Sequence, residues 1–244
     1  MFCIFVIARL RLRRRFALLN HGTGDIATDP AKGKGLSLAN SDAARIYGLI
    51  LAGGAGSRMG GADKSALVVG GVSFLARARH ALGPAVRIAV AGGARVGPDA
   101  ADGLPLLPDA AANAGPLAGL AAGLAWAEAG AADWLIVAPV DAPFLAASAY
   151  ERLLDAARAE PELEAVVAEA DSHVQWLTGA WRPWLAAEAR RALDRPDRSV
   201  AAFLKTRRWR ALPLATRPNM FLNVNAPADL AAANDHAAAD SEGA

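Results

Sequence analysis

From Arg45 onward the chain alternates short apolar runs with helical patterns, and this alternation constrains the fold more than any other feature. "RIYGLILA" is a buried-strand pattern, "SFLARARHAL" places Phe74, Leu75, Ala78 and Leu82 at helical spacing, and "AVRIAVAGG" is a second strand. After "LPLLPD", the small-residue stretch "GPLAGLAAGLAWAEAG" predicts a helix, and "DWLIVAPVD" an apolar strand that stops at Pro139. Strands that are apolar throughout and joined through helices pair in parallel with both faces covered. The expected fold is therefore α/β, a three-layer α/β/α sandwich, Rossmann-like, around a mainly parallel sheet. Beyond about residue 150 the pattern is less regular. It predicts a helix in "AYERLLDAARA", a strand in "EAVVAEA", a candidate antiparallel strand in "HVQWLTGAWR", and helices near 183–193 and 199–206. "MFLNVNAP" predicts a last short strand and "PADLAAAN" a helix opened by Pro227. The ending "DHAAADSEGA" predicts a frayed tail over 236–244, leaving a single domain over 45–235.

The front of the chain has a different composition. Residues 1–45 hold eight Lys or Arg and three acids, so a whole-chain charge of +2 leaves the remainder net negative by 3. A mildly acidic body lacks the basic face that binding to a polyanion needs, which argues against nucleic acid as a partner. "MFCIFVIARLRLRRRFALL" places its apolar residues before its arginines, the reverse of a secretory signal. The run is also far shorter than the roughly 20 residues that span a bilayer. Residues 1–44 read as a disordered extension, or as upstream sequence included by a misplaced start, with a basic amphipathic membrane anchor as the alternative. The one cysteine, Cys3, permits neither an intrachain disulfide nor a cysteine-based metal site. That usage fits a reducing compartment, and the expected location is cytoplasmic, away from the membrane.

Open parallel sheets bind ligands beyond the carboxyl ends of their strands. The unusual residues of this chain lie there: a loop with five glycines after "GLILA", Asp109 after "LPLL", and Asp141 after "WLIVA". The glycine loop fails the dinucleotide fingerprint G-x-G-x-x-G, because Gly54 and Gly56 are followed by Met59 at the third glycine position, and no acid ends the second strand near Ala91. It also fails the phosphate loop G-x-x-x-x-G-K-[ST]: Gly56 and Gly61 are followed by Ala62, and Lys64 comes two places late.

A third pattern fits. "LAGGAGSRMGGADK" resembles L-A-G-G-x-x-x-R-M-G-x-x-D-K, the signature of nucleotidyltransferases that make molybdenum cofactor dinucleotides, and specifically of the molybdenum cofactor guanylyltransferase family. "LPDAAANAGPLAGL", "VAPVDAPFL" and "FLNVNAPADL" are similar to three further motifs of that family, in the same order, so the likeness spans about residues 46–230. The resemblance implies the nucleotide-diphospho-sugar transferase type of sheet, with a nucleotide-binding N-terminal half and a pterin-binding C-terminal half. Its physical sense is direct: glycines let backbone N–H groups approach a triphosphate, and two cations stabilise a leaving pyrophosphate.

Carried over by position, the family implies Leu51, Ala52, Gly53 and Gly54 at the nucleotide, Arg58 and Lys64 on its phosphates, and Asp109 as a further nucleotide contact. Asp109 could instead simply cap a turn. Asp141 ends an apolar strand between Pro139 and Pro143, a costly place for a lone charge unless something binds it. The family implies Mg²⁺ there, an ion that takes one or two protein carboxylates together with substrate phosphates; a structural turn aspartate is the alternative. Asn223 and Asn225 flank Val224 in an extended segment, so both amides point to one side. The resemblance puts that side near the metal and the pterin; loop capping is the alternative. Gln175, with His173, falls where the family shapes its molybdopterin pocket, or on an ordinary strand. Trp176, Trp181 and Trp184 read as core or interface residues. Arg58, Lys64 and Asp141 are thus the expected catalytic set.

The implied reaction is transfer of GMP from GTP to molybdenum-bound molybdopterin, with transient contacts to cofactor-insertion proteins and molybdoenzymes. Two alternatives remain open: a related nucleotidyltransferase using CTP or a sugar phosphate, and a non-catalytic pterin carrier. Two positions depart from the family. Ala91 stands where relatives often carry an asparagine that touches the nucleotide, and "HVQWLTG" lacks a common proline.

Overall fold

The structure, a computed structural model, describes residues 44–53, 63–92, 101–111, 114–214 and 219–242; residues 1–43 of the expected extension lie outside it. Strand β1 (Ile46–Leu51) comes first, then a hairpin of β2 (Val68–Val69) and β3 (Val72–Ser73). The hairpin turns on Gly70 and Gly71, whose φ values of 56° and 76° suit the two-residue turn that matches strand twist. Helix α1 (Phe74–Ala81) follows, capped by the Ser73 hydroxyl, then β4 (Arg87–Ala91), β5 (Leu106–Leu107), α2 (Pro116–Ala129) and β6 (Trp134–Pro139). The second half contains α3 (Ala147–Ala159), β7 (Ala165–Ala170), β8 (His173–Trp181), α4 (Ala186–Ala192), α5 (Val200–Leu204), β9 (Trp209–Pro213) and α6 (Pro227–Glu242).

Seven strands form one sheet in the order β5-β4-β1-β6-β8-β7-β9, parallel except for β8, which runs antiparallel to both neighbours. Alternation along the strands fills two cores. On one face Ile46, Ile50, Ile136 and Val166 pack with Phe74 of α1, Leu82 just past its end, and Tyr150 and Leu153 of α3, joined by Ala233 of α6. On the other, Leu49, Leu51, Leu135 and Val167 pack with Leu117, Leu120 and Leu124 of α2, Ala189 of α4 and Phe203 of α5. This is the expected three-layer sandwich. Each fully buried leucine contributes on the order of 1.5–3 kcal/mol to it. Helix α2 lies unusually close to β1, because a Cβ added at Gly119 would stand 2.8 Å from Leu51 Cδ2, and one added at Gly123 would stand 2.4 Å from Leu49 Cδ2. The small-residue composition of "GPLAGLAAGL" is thus a packing requirement. Gly115 opens the helix at φ 72°, ψ −165°, a backbone region essentially restricted to glycine.

The second half corrects two sequence expectations. "MFLNVNAP" is not a strand: residues 219–226 form a turn and an extended loop, tied to β6 by Val224 N–H donating to Asp141 O at 2.8 Å. The last strand is instead β9, which pairs in parallel with β7 at the sheet edge. Its "WRALP" is half-buried as far as Leu212 and exposed at Pro213, with none of the apolar continuity that marks β1 or β6. Helix α6 also continues as far as Glu242, through the stretch where composition predicts a frayed tail.

Candidate active site

β1 lies between β4 and β6, where the chain order of the sheet reverses direction, and crevices at such switch points are where open sheets place ligands. The three strand ends are tied together beyond their ladders: Ala52 N–H donates to Ala91 O at 2.8 Å and Val140 N–H to Leu51 O at 3.0 Å. Leu51 and Ala52 are buried, whereas Gly53 is exposed. A Cβ at Gly53 would come within 3.2 Å of Gly92 Cα, so a side chain there would press on the neighbouring backbone. Gly54 and Arg58 lie outside the described residues.

Lys64 starts a single 3-10 turn, Lys64–Ala66. Asp63 caps the turn: its Oδ1 accepts from Ser65 N–H at 2.9 Å and from the buried Ser65 hydroxyl at 2.6 Å. The turn aims Lys64 across the strand ends. Its ammonium donates to Asp141 Oδ2 at 3.2 Å, Val224 O at 3.3 Å and Asn225 Oδ1 at 2.7 Å, matching the three donors of an ammonium group. The Lys64 side chain is 15% exposed and that of Asp141 27%, so the pair sits in a mouth open to a ligand. Asp141 directly follows Val140 at the end of β6, between buried Val140 and Ala142. Val224 is fully buried, while Asn223 and Asn225 on either side are exposed, as the alternation predicts. The structure therefore brings Lys64, Asp141 and Asn225 together.

Asp109 belongs to a second group. Its Oδ1 lies 3.6 Å from the position a Cβ of Gly119 would take, a point also flanked by Leu51 Cδ2 and the Ala91 methyl. The buried Ala91 methyl fits against α2 here. Burial pushes the Asp109 carboxyl above the ordinary carboxylate range. The Arg190 guanidinium of α4 donates to Ala110 O and so braces this loop from the other half of the chain.

Gln175 lies on β8 opposite Ala168, next to a shift of register: Val167 faces Gly179 but Ala168 faces Gln175, so residues 176–178 bulge from the ladder. Because β8 is reversed, its His173 end projects at the same sheet edge as the carboxyl ends of β6 and β7. Gln175 Nε2 donates to His173 O at 3.5 Å, and among the described residues no hydrogen bond links Gln175 or Asn223 to the Lys64 cluster. Trp181 is buried in the core, and Trp176 packs on Trp209 at 5.4 Å between centroids.

Two carboxylates lie inside the quoted motifs, Asp63 in "GGADK" and Asp229 in "FLNVNAPADL", but receive no role from the sequence argument. Asp63 orders the turn that presents Lys64, and Asp229 Oδ2 accepts from both Asn225 N–H and Ala226 N–H at 2.8 Å each. An acid three residues after a helix-start position was the available signal for Asp229.

Among the described residues no group of three or more His, Cys, Asp or Glu side chains could enclose a metal. The donors present are hard oxygens, the Asp141 carboxylate and the Asn225 amide, close enough to share one cation, the Lys64 ammonium. That set suits an ion that shares its coordination with phosphates and water.

Known proteins resemble this chain in sequence and in fold. The chain is 40% identical over 200 residues to a molybdenum cofactor guanylyltransferase of Cereibacter sphaeroides, covering 78% of this chain and 95% of that one. A second, from Rhodobacter capsulatus, is 37% identical over 194 residues, covering 78% and 96%. Among solved structures, the molybdopterin-guanine dinucleotide biosynthesis protein A of Archaeoglobus fulgidus superposes with a TM-score of 0.64 at 20% identity, covering 79% of this chain and 99% of that one. The 2-C-methyl-D-erythritol 4-phosphate cytidylyltransferase of Thermus thermophilus gives 0.58 at 20% identity, covering 78% and 98%, and so shares the fold. The model of the MobA-like NTP transferase domain matches residues 48–211, and the chain belongs to that family of nucleotidyltransferases.

Proposed function

We infer that this enzyme transfers GMP from GTP to the terminal phosphate of molybdenum-bound molybdopterin, forming the guanine dinucleotide cofactor and pyrophosphate. The observation that carries the reading is the Lys64 ammonium held against Asp141 and Asn225 at the switch point of the sheet. The relatives named for guanylyl transfer support the choice of nucleotide and acceptor.

An oxygen of the acceptor phosphate attacks the α-phosphorus of GTP, and the bond from that phosphorus to the oxygen bridging to the β-phosphate breaks. Pyrophosphate departs with the electron pair. Since the attacking phosphate is already anionic, no protein base has to remove a proton, and positioning and charge stabilisation carry the catalysis. Lys64, held beside Asp141 by Val224 O and Asn225 Oδ1, is placed to meet phosphate oxygens entering the open side of the site. Arg58, by its place in the motif, serves the same phosphates. Asp109 accepts hydrogen bonds from guanine or ribose, and exposed Gly53 lets the nucleotide lie against backbone. Asp141, with the Asn225 amide beside it, would hold Mg²⁺, which when bound neutralises phosphate charge. Asn223 and Gln175 face the pterin side. We place the reaction in the cytoplasm, with transient hand-over to cofactor-insertion proteins and molybdoenzymes and with no nucleic-acid or membrane partner. Among the described residues no helix is long and apolar enough to cross a membrane.

The test is pyrophosphate release from the purified full chain with molybdenum-bound molybdopterin and Mg²⁺, comparing GTP, CTP and ATP. Release with GTP alone is expected. Release with CTP and none with GTP would assign the site to a cytidylyltransferase, and pterin binding without turnover of any nucleotide would reduce the protein to a carrier.

A further inference from the structure

The Lys64 ammonium takes two of its three acceptors, Val224 O and Asn225 Oδ1, from a segment with no helix or strand ladder of its own. The Asn225 bond is the shortest of the three, yet Asn225 is exposed, so packing alone does not hold its amide. Two anchors fix the segment. On one side Val224 N–H donates to Asp141 O at 2.8 Å. On the other, both Asn225 N–H and Ala226 N–H converge on Asp229 Oδ2. Asp229 is the third residue of α6, whose position is set by burial of Ala233 and by the Asn234 amide accepting from Gly70 N–H. A continuous path therefore runs from the core through α6 and the Asp229 carboxylate to the peptide that carries Asn225, and from Asn225 to the ammonium.

We propose that Asp229 is a positioning residue for GMP transfer, its carboxylate fixing the Asn225–Ala226 peptide so that Val224 O and Asn225 Oδ1 hold the Lys64 ammonium beside Asp141. This rests on the reading that Lys64 and Asn225 serve the reacting phosphates. A carboxylate at this place in a helix also caps the helix start. Capping alone predicts a lower thermal midpoint with an unchanged kcat in the folded enzyme. Positioning predicts a loss of kcat that depends on Asn225.

The experiment is a double-mutant cycle on the full chain, measuring kcat and KM for GTP together with the thermal midpoint for Asp229→Ala, Asn225→Ala, the pair, and Lys64→Ala. Asp229→Ala is expected to lower kcat by about 10- to 100-fold, the range typical of partners that orient an ion-binding group. In the Asn225→Ala background the same substitution should cost less than about threefold, because residues acting through one another are not additive. Asp229→Glu should recover most of the rate. If Asp229→Ala does not fold, Asp229→Asn replaces it in the cycle, since the amide keeps an acceptor oxygen but loses the charge. Full multiplicativity of the two substitutions, or wild-type kcat in folded Asp229→Ala, overturns the proposal while leaving the site intact. Wild-type rates in Lys64→Ala or Asn225→Ala overturn the site reading itself, and this proposal with it.

Discussion

The two halves of the sheet hold their site residues by different means. In the parallel half, β5-β4-β1-β6, each candidate position follows closely on a strand end or on a capped turn: Gly53 after β1, Asp109 after β5, Asp141 after β6, and Lys64 on the turn capped by Asp63. Ladder bonds and the cross-ties Ala52–Ala91 and Val140–Leu51 hold those ends in place. In the other half β8 is reversed and bulged beside Gln175, and Asn225 sits on a loop outside the sheet. That loop takes its order from the burial of Val224 and from a handful of bonds to Asp141, Asp229 and Lys64. Rigidity in the first half is distributed over many bonds. In the second it depends on a few replaceable side chains.

Substitutions can break or sharpen this contrast. Asp141 serves both halves, since its carboxylate meets Lys64 and its carbonyl receives Val224. Asp141→Asn should lower kcat by roughly 100- to 1,000-fold, the range for removing a preorganised electrostatic group, in steady-state assays of pyrophosphate release. Near wild-type turnover would remove Asp141 from the chemistry.

Asp109→Ala should weaken GTP binding by about 1.5–3 kcal/mol, the worth of a hydrogen bond to a charged group, with kcat nearly unchanged; calorimetric titration reads this directly. Its pH dependence has a definite sign. Burial raises the folded-state pKa, so the carboxylate needed for binding is lost as pH falls through that raised value, earlier than for an ordinary aspartate. On acidification GTP affinity should therefore fall more in the wild type than in Asp109→Ala, and at a higher pH than an ordinary aspartate would require. Stability runs the other way. Ionisation is less favourable in the folded state, so the penalty grows as pH rises above the unfolded pKa, is complete above the folded pKa, and is absent below both. Asp109→Asn should stabilise at neutral pH and leave stability unchanged in strong acid.

Gly123→Ala tests the parallel half by packing. The added methyl meets fully buried Leu49, which has no room to move, and should cost about 1–3 kcal/mol in urea unfolding. The smallest expected effect is at Asp63. Asp63→Ala removes a cap worth about 1 kcal/mol from a short turn that also packs against α1, and kcat should fall only several-fold. A loss at Asp63 as large as that at Asp141 would show that the parallel half also depends on single contacts.

Much of this was legible in the chain because the first half obeys local rules. Apolar continuity in β1 and β6 follows from burial on both faces, and the small residues of α2 mark a helix. The second half was less legible where tertiary contacts override pattern. β9 is half-buried at an edge and lacks the apolar run of a central strand, while "MFLNVNAP" has that run, with Val224 fully buried, but forms no ladder. Nothing in local spacing shows that the register of β8 slips beside Gln175.

The amino-acid sequence by itself determined the layer architecture and the residues at the strand ends, because hydrophobic period and turn chemistry act over a few neighbouring positions. The tertiary structure alone decided that Lys64 meets Asp141 and Asn225, residues 77 and 161 positions away along the chain, and that Asp229 orders the segment between them and α6. The reason is physical: an ammonium group chooses acceptors by distance in space, and only the packed sheet brings those acceptors within reach.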